Sequence, residues 1–284
     1  MPRCIVPSDE GGVVRITDSL STVGQSSPIP SSTPVKLNSD NGRKNFTRTF
    51  LDCDYQKGGI LSLEKKNFHH ELNVLRKKAG DRFILFDGKG NSCLCEVIEI
   101  NRKHFILEII ELFKPPIREG INIELGQSLI KNDPFNFSIQ KATELGVKKF
   151  CPIISERVVI KGMKSHSNSR LEKWRQIAQG ACEQCGENWI PEISSPLNIK
   201  QWSETTNSKT KIVLFPNADA RLSEIEITES ISIAIGPEGD FTKKEVSYLK
   251  ESGFLPVTIG KRILRAETAA ISVISALRYG AKEF

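Results

Sequence analysis

The chain lacks the long apolar runs that carry a protein into or across a membrane. No stretch of its 284 residues approaches the ~20 consecutive apolar residues that a membrane-spanning helix needs. The N-terminus also lacks the short hydrophobic region of a secretory signal. We therefore expect a cytoplasmic protein. An organellar location is the alternative, if the N-terminal extension described below is a transit peptide.

Disulfide and metal-binding patterns are missing as well. The seven cysteines are scattered without the spacing of a disulfide framework, which favours a reducing compartment. Cys182 and Cys185 form a C-x-x-C pair, but no second pair stands at zinc spacing and no H-E-x-x-H motif occurs. We interpret the pair as packing residues on a helix face, and we expect no metal.

Three widespread catalytic or nucleotide-binding motifs are absent. No G-x-G-x-x-G follows a predicted strand, which argues against a standard dinucleotide site, and no G-x-x-x-x-G-K-[ST] of a P-loop enzyme occurs. The G-x-S-x-G elbow of many hydrolases is also missing, so a Ser-His-Asp mechanism has little support.

The composition is that of an ordinary globular protein. Hydrophobic residues make up 38% of the chain and charged residues 26%, which is enough apolar material for a proper core. The formal net charge is +6 and the isoelectric point is near 8.9. This mild excess of positive charge is compatible with a nucleic-acid partner but does not require one.

Residues 1 to 45 differ from the rest of the chain. The stretch "STVGQSSPIPSSTPVKLNSDNG" is rich in Ser, Pro, Thr and Asn and has almost no large apolar residues. It cannot bury enough surface to offset chain entropy, so we expect a disordered extension. A transit peptide is the alternative, but Asp9, Glu10 and Asp18 argue against it because such peptides are poor in acids.

Residues 46 to 118 show the signals of a small β-rich domain. The segment "DRFILFDGKGNSCLCEVIEI" predicts a hairpin that turns at Asp87 to Gly90, and "HFILEIIEL" predicts a further strand. The preceding segment "NFHHELNVLRKKAGD" predicts a short helix or turn that ends at Gly80. Consecutive prolines in "FKPPIREG" indicate a linker to the next domain.

Residues 119 to 284 alternate between strand and helix patterns, which indicates an α/β domain with a mostly parallel sheet. The short apolar runs "KIVLFP" and "ISIAIGPEG" are typical of strands buried on both faces. The predicted strands are "INIELGQSL", "VKKFCPIIS", "KIVLFP", "ISIAIGPEG" and "FLPVTIG".

Four helices are predicted between and after these strands. The first is "DPFNFSIQKATELG", with Asp133 as N-cap, Pro134 at the first helical position and Gly146 at the end. The third, "TKKEVSYLKESG", is amphipathic and ends at Gly253. The second helix is predicted to place on one side Leu171, Trp174, Ala178, Ala181 and Cys185. The last helix is predicted to bury a face formed by Ile263, Ala266, Ala270, Ile274 and Leu277.

Three predicted strand ends form the candidate site. Parallel α/β sheets bind ligands beyond the C-terminal ends of their strands, and glycines there let a ligand approach the backbone. Each of "VLFPNAD", "AIGPEGDF" and "TIGKRILRAET" contains turn-forming residues. Any one of them alone is an ordinary turn, whereas three at adjacent strand ends indicate a pocket. Around the last of them cluster Lys261, Arg262, Arg265, Glu267 and Thr268.

Basic residues of the β-rich domain are a second candidate surface. Arg76, Lys77 and Lys78 form one run, with His69 and His70 nearby. They form either a solvated charged face or a set of phosphate contacts. In the second case the affinity for the phosphate-bearing ligand would fall as salt rises.

In combination, several of these motifs resemble the bacterial 16S ribosomal RNA uridine-N3 methyltransferases, members of the SPOUT superfamily. The similarity runs from about Phe46 to the C-terminus and rests on "RTF" at Arg48, "HHELNVLRKKAGD", "LFDGKG", "QKATELGVKKFCPIISERV", "ACEQCGENWIPEI", "IAIGPEGDF" and "IGKRILRAETAA". The resemblance implies a PUA-like β-barrel over 46–118 and a SPOUT domain with a deep trefoil knot over 119–284. It also implies a homodimer whose second chain completes the substrate groove.

The resemblance further implies the ligands and the roles of the site residues. S-adenosylmethionine would be held by the knot loops, through Leu214, Phe215, Gly236, Pro237, Glu238, Gly239, Ile259, Gly260, Ile263, Leu264 and Thr268. The substrate would be 16S rRNA within the assembled small subunit, contacted by Arg48, His70, Arg76, Lys77 and Lys78. Arg265 is the expected catalytic cation, and Glu267 an orienting group or proton acceptor. The alternative for these two residues is a purely structural salt bridge.

Two positions depart from the family pattern. Asp240 stands where the family usually has Gly, and its carboxylate would tighten the turn or lie beside the cationic sulfonium of the cofactor. Glu187 stands where the family usually has Arg, so a phosphate contact would be lost if that Arg makes one. The alternative function is a non-catalytic RNA-binding or ribosome-assembly factor on the same fold. The otherwise intact cofactor loops favour the enzyme.

Overall fold

A computed structural model of the protein describes residues 14–15, 46–64, 77–101, 104–116, 118–158 and 168–284. The chain divides into two units, Met1–Pro116 and Ile117–Phe284. The division falls two residues before the boundary expected from the sequence. None of the helices within the described residues is long and apolar enough to cross a membrane.

The first unit is a six-stranded sheet in the order β1-β3-β6-β5-β4-β2. Its strands are β1 (Val14–Arg15), β2 (Arg48–Phe50), β3 (Ile60–Glu64), β4 (Arg82–Phe86), β5 (Ser92–Ile100) and β6 (His104–Phe113). The predicted hairpin is confirmed, because β4 and β5 pair antiparallel across the turn. The predicted strand β6 is confirmed as well. The helix or turn expected before Gly80 lies largely outside the described residues.

Strand alternation builds the core of this unit. Phe83 and Leu85 of β4 face the same side as Cys93 and Cys95 of β5, and all four are fully buried. Ile84 and Leu94 point to the other face and form a smaller cluster. The period of two therefore places both cysteines on one face.

The short strand β1 lies within the extension that we expected to be disordered. Val14 pairs with Leu61 and Arg15 with Ser62 in parallel register. At these two residues the expectation is wrong, because their backbone adds to the edge of β3. The rest of residues 1–45 lies outside the part of the chain that the structure describes.

The second unit is a parallel sheet in the order β10-β8-β7-β13-β11-β14-β12, with β9 also paired to β8. Its strands are β7 (Asn122–Ser128), β8 (Lys149–Ile154), β9 (Glu192–Ile193), β10 (Leu197–Asn198), β11 (Thr210–Leu214), β12 (Ala220–Arg221), β13 (Ser230–Ile235) and β14 (Leu255–Thr258). Its helices are α1 (Asn132–Glu144), α2 (Asn168–Cys185), α3 (Ile199–Thr205), α4 (Lys243–Glu251) and α5 (Ala266–Gly280). The predicted parallel α/β architecture is confirmed.

The central strands are buried on both faces, although their sequences are not apolar throughout, since β13 contains the fully buried Ser232. Ile231 and Ile233 of β13 pack into a core shared with α1, α2 and α5. On the other face Ala234 packs with Trp202 of α3 and Leu249 of α4. The C-terminal ends of these strands are consequently the edge of the sheet that remains open to a ligand.

The order of the strands in this sheet differs from their order along the chain. Strand β11 pairs with β13 on one side and with β14 on the other, both in parallel register. After β14 the chain returns, and α5 packs against α1, β7 and β13. Arg278 of α5 donates a hydrogen bond to the carbonyl oxygen of Gly146, just beyond α1, at 2.8 Å. This strand order agrees with the trefoil knot that the resemblance implies.

Three details of the helices differ from the prediction. The N-cap of α1 is Lys131 rather than Asp133, and Pro134 is accommodated because first-turn N–H groups have no intrahelical partner. On α2 the buried cysteine is Cys182, whereas Cys185 is exposed near the helix end. Ile263 precedes α5 and is 87% exposed, so it does not belong to the buried helix face.

Candidate active site

A cavity of about 530 Å³ opens at the C-terminal ends of β11, β13 and β14. This volume falls in the range of small-molecule and cofactor sites, about 300–1,000 Å³. Of the predicted residues, the cavity is lined by Leu214, Phe215, Gly236, Pro237, Glu238, Ile259, Gly260, Ile263, Leu264, Arg265 and Glu267. The three strand ends singled out from the sequence therefore do meet in one pocket.

Two predicted residues lie outside the cavity wall. Gly239 faces away, toward Arg157, whose Nη1 donates to the Gly239 carbonyl oxygen at 2.6 Å. Thr268 is exposed on the first turn of α5 and does not cap it, because the N-cap residue is Arg265. Both residues were predicted to bind the cofactor, but neither is part of the cavity surface.

The cavity also contains residues that sequence reasoning missed. Lys131 and Pro134 line it from the start of α1, and Ile235 and Thr258 line it from the ends of β13 and β14. The signal for the first two was available, since β7 is a parallel strand of the same sheet and α1 follows its C-terminal end. The C-terminal end of β7 could therefore have been included in the predicted site as a fourth strand end.

The backbone conformation of the loop after β13, residues 236–242, restricts which residues can occupy two of its positions. A Cβ atom on Gly236 would lie 2.8 Å from Asp240 Oδ1 and 2.9 Å from the Phe241 nitrogen, so glycine is required there. The Asp240 nitrogen donates to the Pro237 carbonyl at 2.9 Å and closes a tight turn. Asp240 itself has φ 60°, the left-handed region, which Asp tolerates better than most residues.

The buried carboxylate of Glu245 fixes the end of this loop. Glu245 is 7% exposed and forms a reciprocal capping box with Thr242 at the start of α4. Its second carboxylate oxygen accepts a hydrogen bond from the Glu156 nitrogen at 2.8 Å. The segment after β8 and the loop after β13 are thereby joined through one carboxylate.

The loop after β14, residues 259–265, leads into α5. Gly260 has φ 135°, and a side chain placed on it would meet no atom within 4 Å, so the wall is open there. Arg265 has extended backbone angles as the N-cap of α5 and makes no side-chain capping bond. Arg265 is an exposed residue and lines the cavity.

Charges of both signs line the cavity. The cations are Lys131, Arg262 and Arg265, and the carboxylates are Glu238, Asp240 and Glu267. In the described part of the chain Arg265 and Glu267 form no ion pair with each other or with a third residue. The structural salt bridge considered from the sequence is thus not formed. Burial raises the pKa of the Asp240 carboxyl above its usual value.

The predicted RNA-binding residues belong to the first unit. The Arg48 guanidinium lies 5.0 Å from the centre of the Phe86 ring, and the Lys77 ammonium lies 5.3 Å from that of Phe83. Lys78 is exposed, and its backbone nitrogen donates to Asp81 Oδ2 at 2.7 Å. His70 and Arg76 lie outside the described residues.

Glu187, the second departure from the family pattern, organises a local turn. Its Oε1 accepts hydrogen bonds from the Asn188 nitrogen at 2.7 Å and the Trp189 nitrogen at 3.1 Å. The Arg118 guanidinium lies 5.7 Å from the centre of the Trp189 ring. Burial lowers the pKa of Arg118, and the negative charge of Glu187 opposes that shift.

The cysteines do not assemble into a metal site. Across the residues that the structure describes, no group of three or more His, Cys, Asp or Glu side chains is placed to hold a metal ion. Cys182 is buried and donates to the Trp189 carbonyl at 3.6 Å. Burial raises the pKa of Cys93 to about 12, so that thiol stays protonated at neutral pH.

Comparison with known proteins agrees with this architecture. Residues 118–278 match the RNA methyltransferase domain family, and residues 63–110 match the RNA methyltransferase PUA domain. The ribosomal RNA small subunit methyltransferase E of Buchnera aphidicola subsp. Schizaphis graminum is 34% identical over 238 residues, covering 83% of this chain and 97% of that protein. The Bacillus subtilis protein of the same name is 29% identical over 82% of this chain and 96% of its own length.

A solved structure gives the same result in three dimensions. The ribosomal RNA small subunit methyltransferase E of Neisseria gonorrhoeae, crystallised with S-adenosylmethionine, superposes with a TM-score of 0.76 at 32% identity. The match covers 83% of this chain and 98% of that one. The predicted fold class, a PUA-like domain followed by a SPOUT α/β domain, is confirmed. This chain belongs to the RNA methyltransferase family and, within it, to the small-subunit ribosomal RNA methyltransferases E.

Proposed function

We propose that this protein transfers a methyl group from S-adenosylmethionine to N3 of one uridine in the 16S rRNA of the small ribosomal subunit. The observation that carries the proposal is the cavity itself. Three loops at the ends of β11, β13 and β14 surround it, and the exposed residue Arg265 is part of its wall. Membership of the family and the S-adenosylmethionine bound to the Neisseria relative give independent support.

The cavity wall fits an adenosine-containing cofactor. Leu214 and Ile235 offer buried apolar surface against which a base can pack. Gly260 leaves the backbone uncovered, so main-chain N–H and C=O groups there are within reach of a ligand. When bound, S-adenosylmethionine supplies an activated methyl group, and the protein supplies orientation and electrostatics.

Arg265 is proposed as the catalytic cation. Uridine N3 carries a proton that must leave before or during attack, and the resulting negative charge spreads to O2 and O4. A guanidinium beside these oxygens stabilises that charge in the manner of an oxyanion hole. Arg265 is suited to this role because no carboxylate within the described residues neutralises it.

Glu267 is proposed to orient the uracil or accept its proton. It lines the same cavity from the first turn of α5, two residues after Arg265. Its carboxylate is partly buried and makes no ion pair in the described part of the chain. A group in this state is available to a substrate N–H.

The test has a binding arm and a product arm. Calorimetry with S-adenosylmethionine is expected to give one site per chain. Methylation of small subunits lacking the modification, followed by mass spectrometry of rRNA fragments, is expected to show one added methyl on uridine N3. A protein that does not bind the cofactor would instead be the non-catalytic assembly factor, and a methyl on another atom would refute N3 chemistry.

RNA recognition is proposed to use the basic residues of the first unit, Arg48, His70, Arg76, Lys77 and Lys78. Lys77 and Lys78 are adjacent and begin the described segment before β4. If they contact phosphate, the double variant K77A/K78A weakens rRNA binding and flattens its dependence on salt, while cofactor affinity is unchanged. Unaltered RNA binding would assign them to a solvated surface.

The protein is further proposed to act as a homodimer on assembled subunits. Phe137 on α1 and Tyr279 on α5 are 44% and 75% exposed, and exposed aromatic side chains are typical of interface residues. Light scattering tests the dimer directly. Comparing assembled subunits with naked 16S rRNA as methyl acceptors tests the substrate form.

A further inference from the structure

Asp240 combines a strained backbone with a position on the cavity wall. Its φ of 60° lies in the left-handed region, which L-residues other than Gly, Asn and Asp rarely adopt. Non-glycine residues held in such conformations cluster at functional sites, where the surrounding structure maintains the strain. Because Asp240 also lines the cavity, its side chain is a candidate for ligand contact.

The carboxylate of Asp240 is held in place before any ligand arrives. Oδ1 accepts a hydrogen bond from the Phe241 nitrogen at 2.8 Å, and the backbone nitrogen of Asp240 is bound to the Pro237 carbonyl. Oδ1 also lies 2.8 Å from the position that a Cβ on Gly236 would occupy, so the carboxylate covers that glycine. Among the described residues, Oδ2 has no hydrogen-bond partner.

The two other carboxylates on the wall are held differently. Glu238 is exposed, and its side chain makes only a long contact of 3.4 Å with the Lys131 nitrogen. Glu267 is partly buried but has no hydrogen bond that fixes its side chain within the described residues. Asp240 is the carboxylate whose position is set by its own turn, at partial burial where charge is less screened.

We infer that the Asp240 carboxylate binds the positive charge of S-adenosylmethionine and thereby makes this site prefer the charged cofactor over its neutral product. The inference rests on the proposed function. S-adenosylmethionine carries a sulfonium cation, whereas S-adenosylhomocysteine carries a neutral thioether and is otherwise nearly identical. A fixed, partly buried anion therefore favours the first of the two ligands and promotes release of the second.

The experiment measures Kd for both ligands by calorimetry, with wild-type protein, D240N and D219N. Asn is the matched replacement because it tolerates the left-handed conformation and keeps an oxygen for the Phe241 nitrogen. D219N removes the same charge from an exposed residue in the loop after β11 that does not line the cavity.

D240N is expected to weaken S-adenosylmethionine binding about tenfold, the scale of one charge pair at partial burial. Its affinity for S-adenosylhomocysteine is expected to change less than about twofold, and D219N should leave both affinities unchanged. Equal weakening of both ligands in D240N would overturn the inference, because the side chain would then contact a group that they share.

Wild-type affinity of D240N for both ligands would also overturn the inference. Asp240 would then serve only to form the turn. Failure of the wild-type protein to bind either ligand is a distinct result, because it refutes the proposed function together with the inference. A thermal denaturation scan of each variant confirms that the protein is folded in every titration.

Discussion

The Arg157 guanidinium donates a hydrogen bond to the carbonyl oxygen of Gly239 at 2.6 Å, and this bond joins the segment after β8 to the loop after β13. The same two segments are joined a second time by Glu245, through the Glu156 nitrogen. The loop that carries Gly236, Glu238 and Asp240 is therefore fixed from outside the cavity. Residues that never touch a ligand can thus control the shape of the site.

The Arg157 contact can be removed without touching the cavity. R157A is expected to weaken S-adenosylmethionine binding about three- to tenfold, since a charge-assisted hydrogen bond that orders the loop is lost. Stability should change by less than about 0.5 kcal/mol, because Arg157 is exposed. The control is R175A, an exposed arginine on α2, which should affect neither quantity. Unchanged affinity in R157A would mean that the Glu245 link alone positions the loop.

Arg265 is expected to matter for rate and not for stability. R265A should lower single-turnover methylation of small subunits about 10²–10³-fold, or roughly 3–4 kcal/mol, as when one donor to developing charge is removed. Its denaturation midpoint should remain near that of the wild type, because the side chain makes no ion pair in the described part of the chain. K261A is the matched control, since Lys261 is exposed and does not line the cavity. Near-normal turnover with a lowered midpoint would show a structural role instead.

In contrast to Arg265, Glu245 is expected to contribute to the stability of the fold. E245A leaves the Thr242 and Glu156 nitrogens without their acceptor and removes the capping box of α4. We expect a loss of roughly 2–3 kcal/mol in the free energy of unfolding, measured by urea denaturation. E251A, at the exposed C-terminal end of α4, should be neutral or slightly stabilising because an acid is unfavourable there. A loss below about 0.5 kcal/mol in E245A would contradict this account.

The stability of the cofactor-free protein should depend on pH through Asp240. Burial raises the pKa of this carboxyl; the hydrogen bond from the Phe241 nitrogen and the charge of Arg157 oppose that shift, and Glu245 adds to it. A raised folded-state pKa means that the folded protein binds the proton more tightly than the unfolded chain. The stabilising contribution is therefore present below the unfolded pKa and is lost as pH rises through the folded one.

The measurement compares wild-type protein with D240N, which does not titrate at this position. The free energy of unfolding of the wild type, relative to D240N, should fall as pH rises from about 4 toward 7. A difference that stays constant over this range would show that Asp240 titrates normally in the folded protein. The sign of the pH dependence is also informative, since a difference that grows with pH would mean that the Phe241 hydrogen bond and the charge of Arg157 together outweigh burial.

The N-terminal extension can be tested by two truncations. Removing residues 1–45 deletes β1, which pairs with β3 through only two residues. Folding and cofactor binding are expected to persist, with a loss in stability below about 1 kcal/mol. A second truncation that removes residues 1–12 and keeps β1 should match the full chain. Insolubility or lost cofactor binding in the longer truncation would show that the extension supports the first unit.

Local patterns determined most elements of the fold. The alternation of faces in β4, β5 and β6 follows from the period of two, and burial on both faces explains the apolar residues 212–214 of β11 and 233–235 of β13. Gly146 ends α1 with φ 74°, as a C-terminal glycine should. Short elements such as β9, β10 and α3 were not predicted, because a few residues carry too little periodicity to be distinguished from loops.

The sequence by itself also indicated the site, since turn-forming residues at the ends of parallel strands must meet at one edge of the sheet. Tertiary structure decided which of the candidate residues line the cavity. It brought in Lys131, turned Gly239 and Thr268 away from the cavity, and left Arg265 without an ion pair. The physical reason is that the spacing of hydrophobic residues depends only on residues close together along the chain, and so it predicts helices and strands but not which of them pack together. The order β7-β13-β11-β14, and hence which loops share a wall, depends on packing between segments about 20 to 110 residues apart.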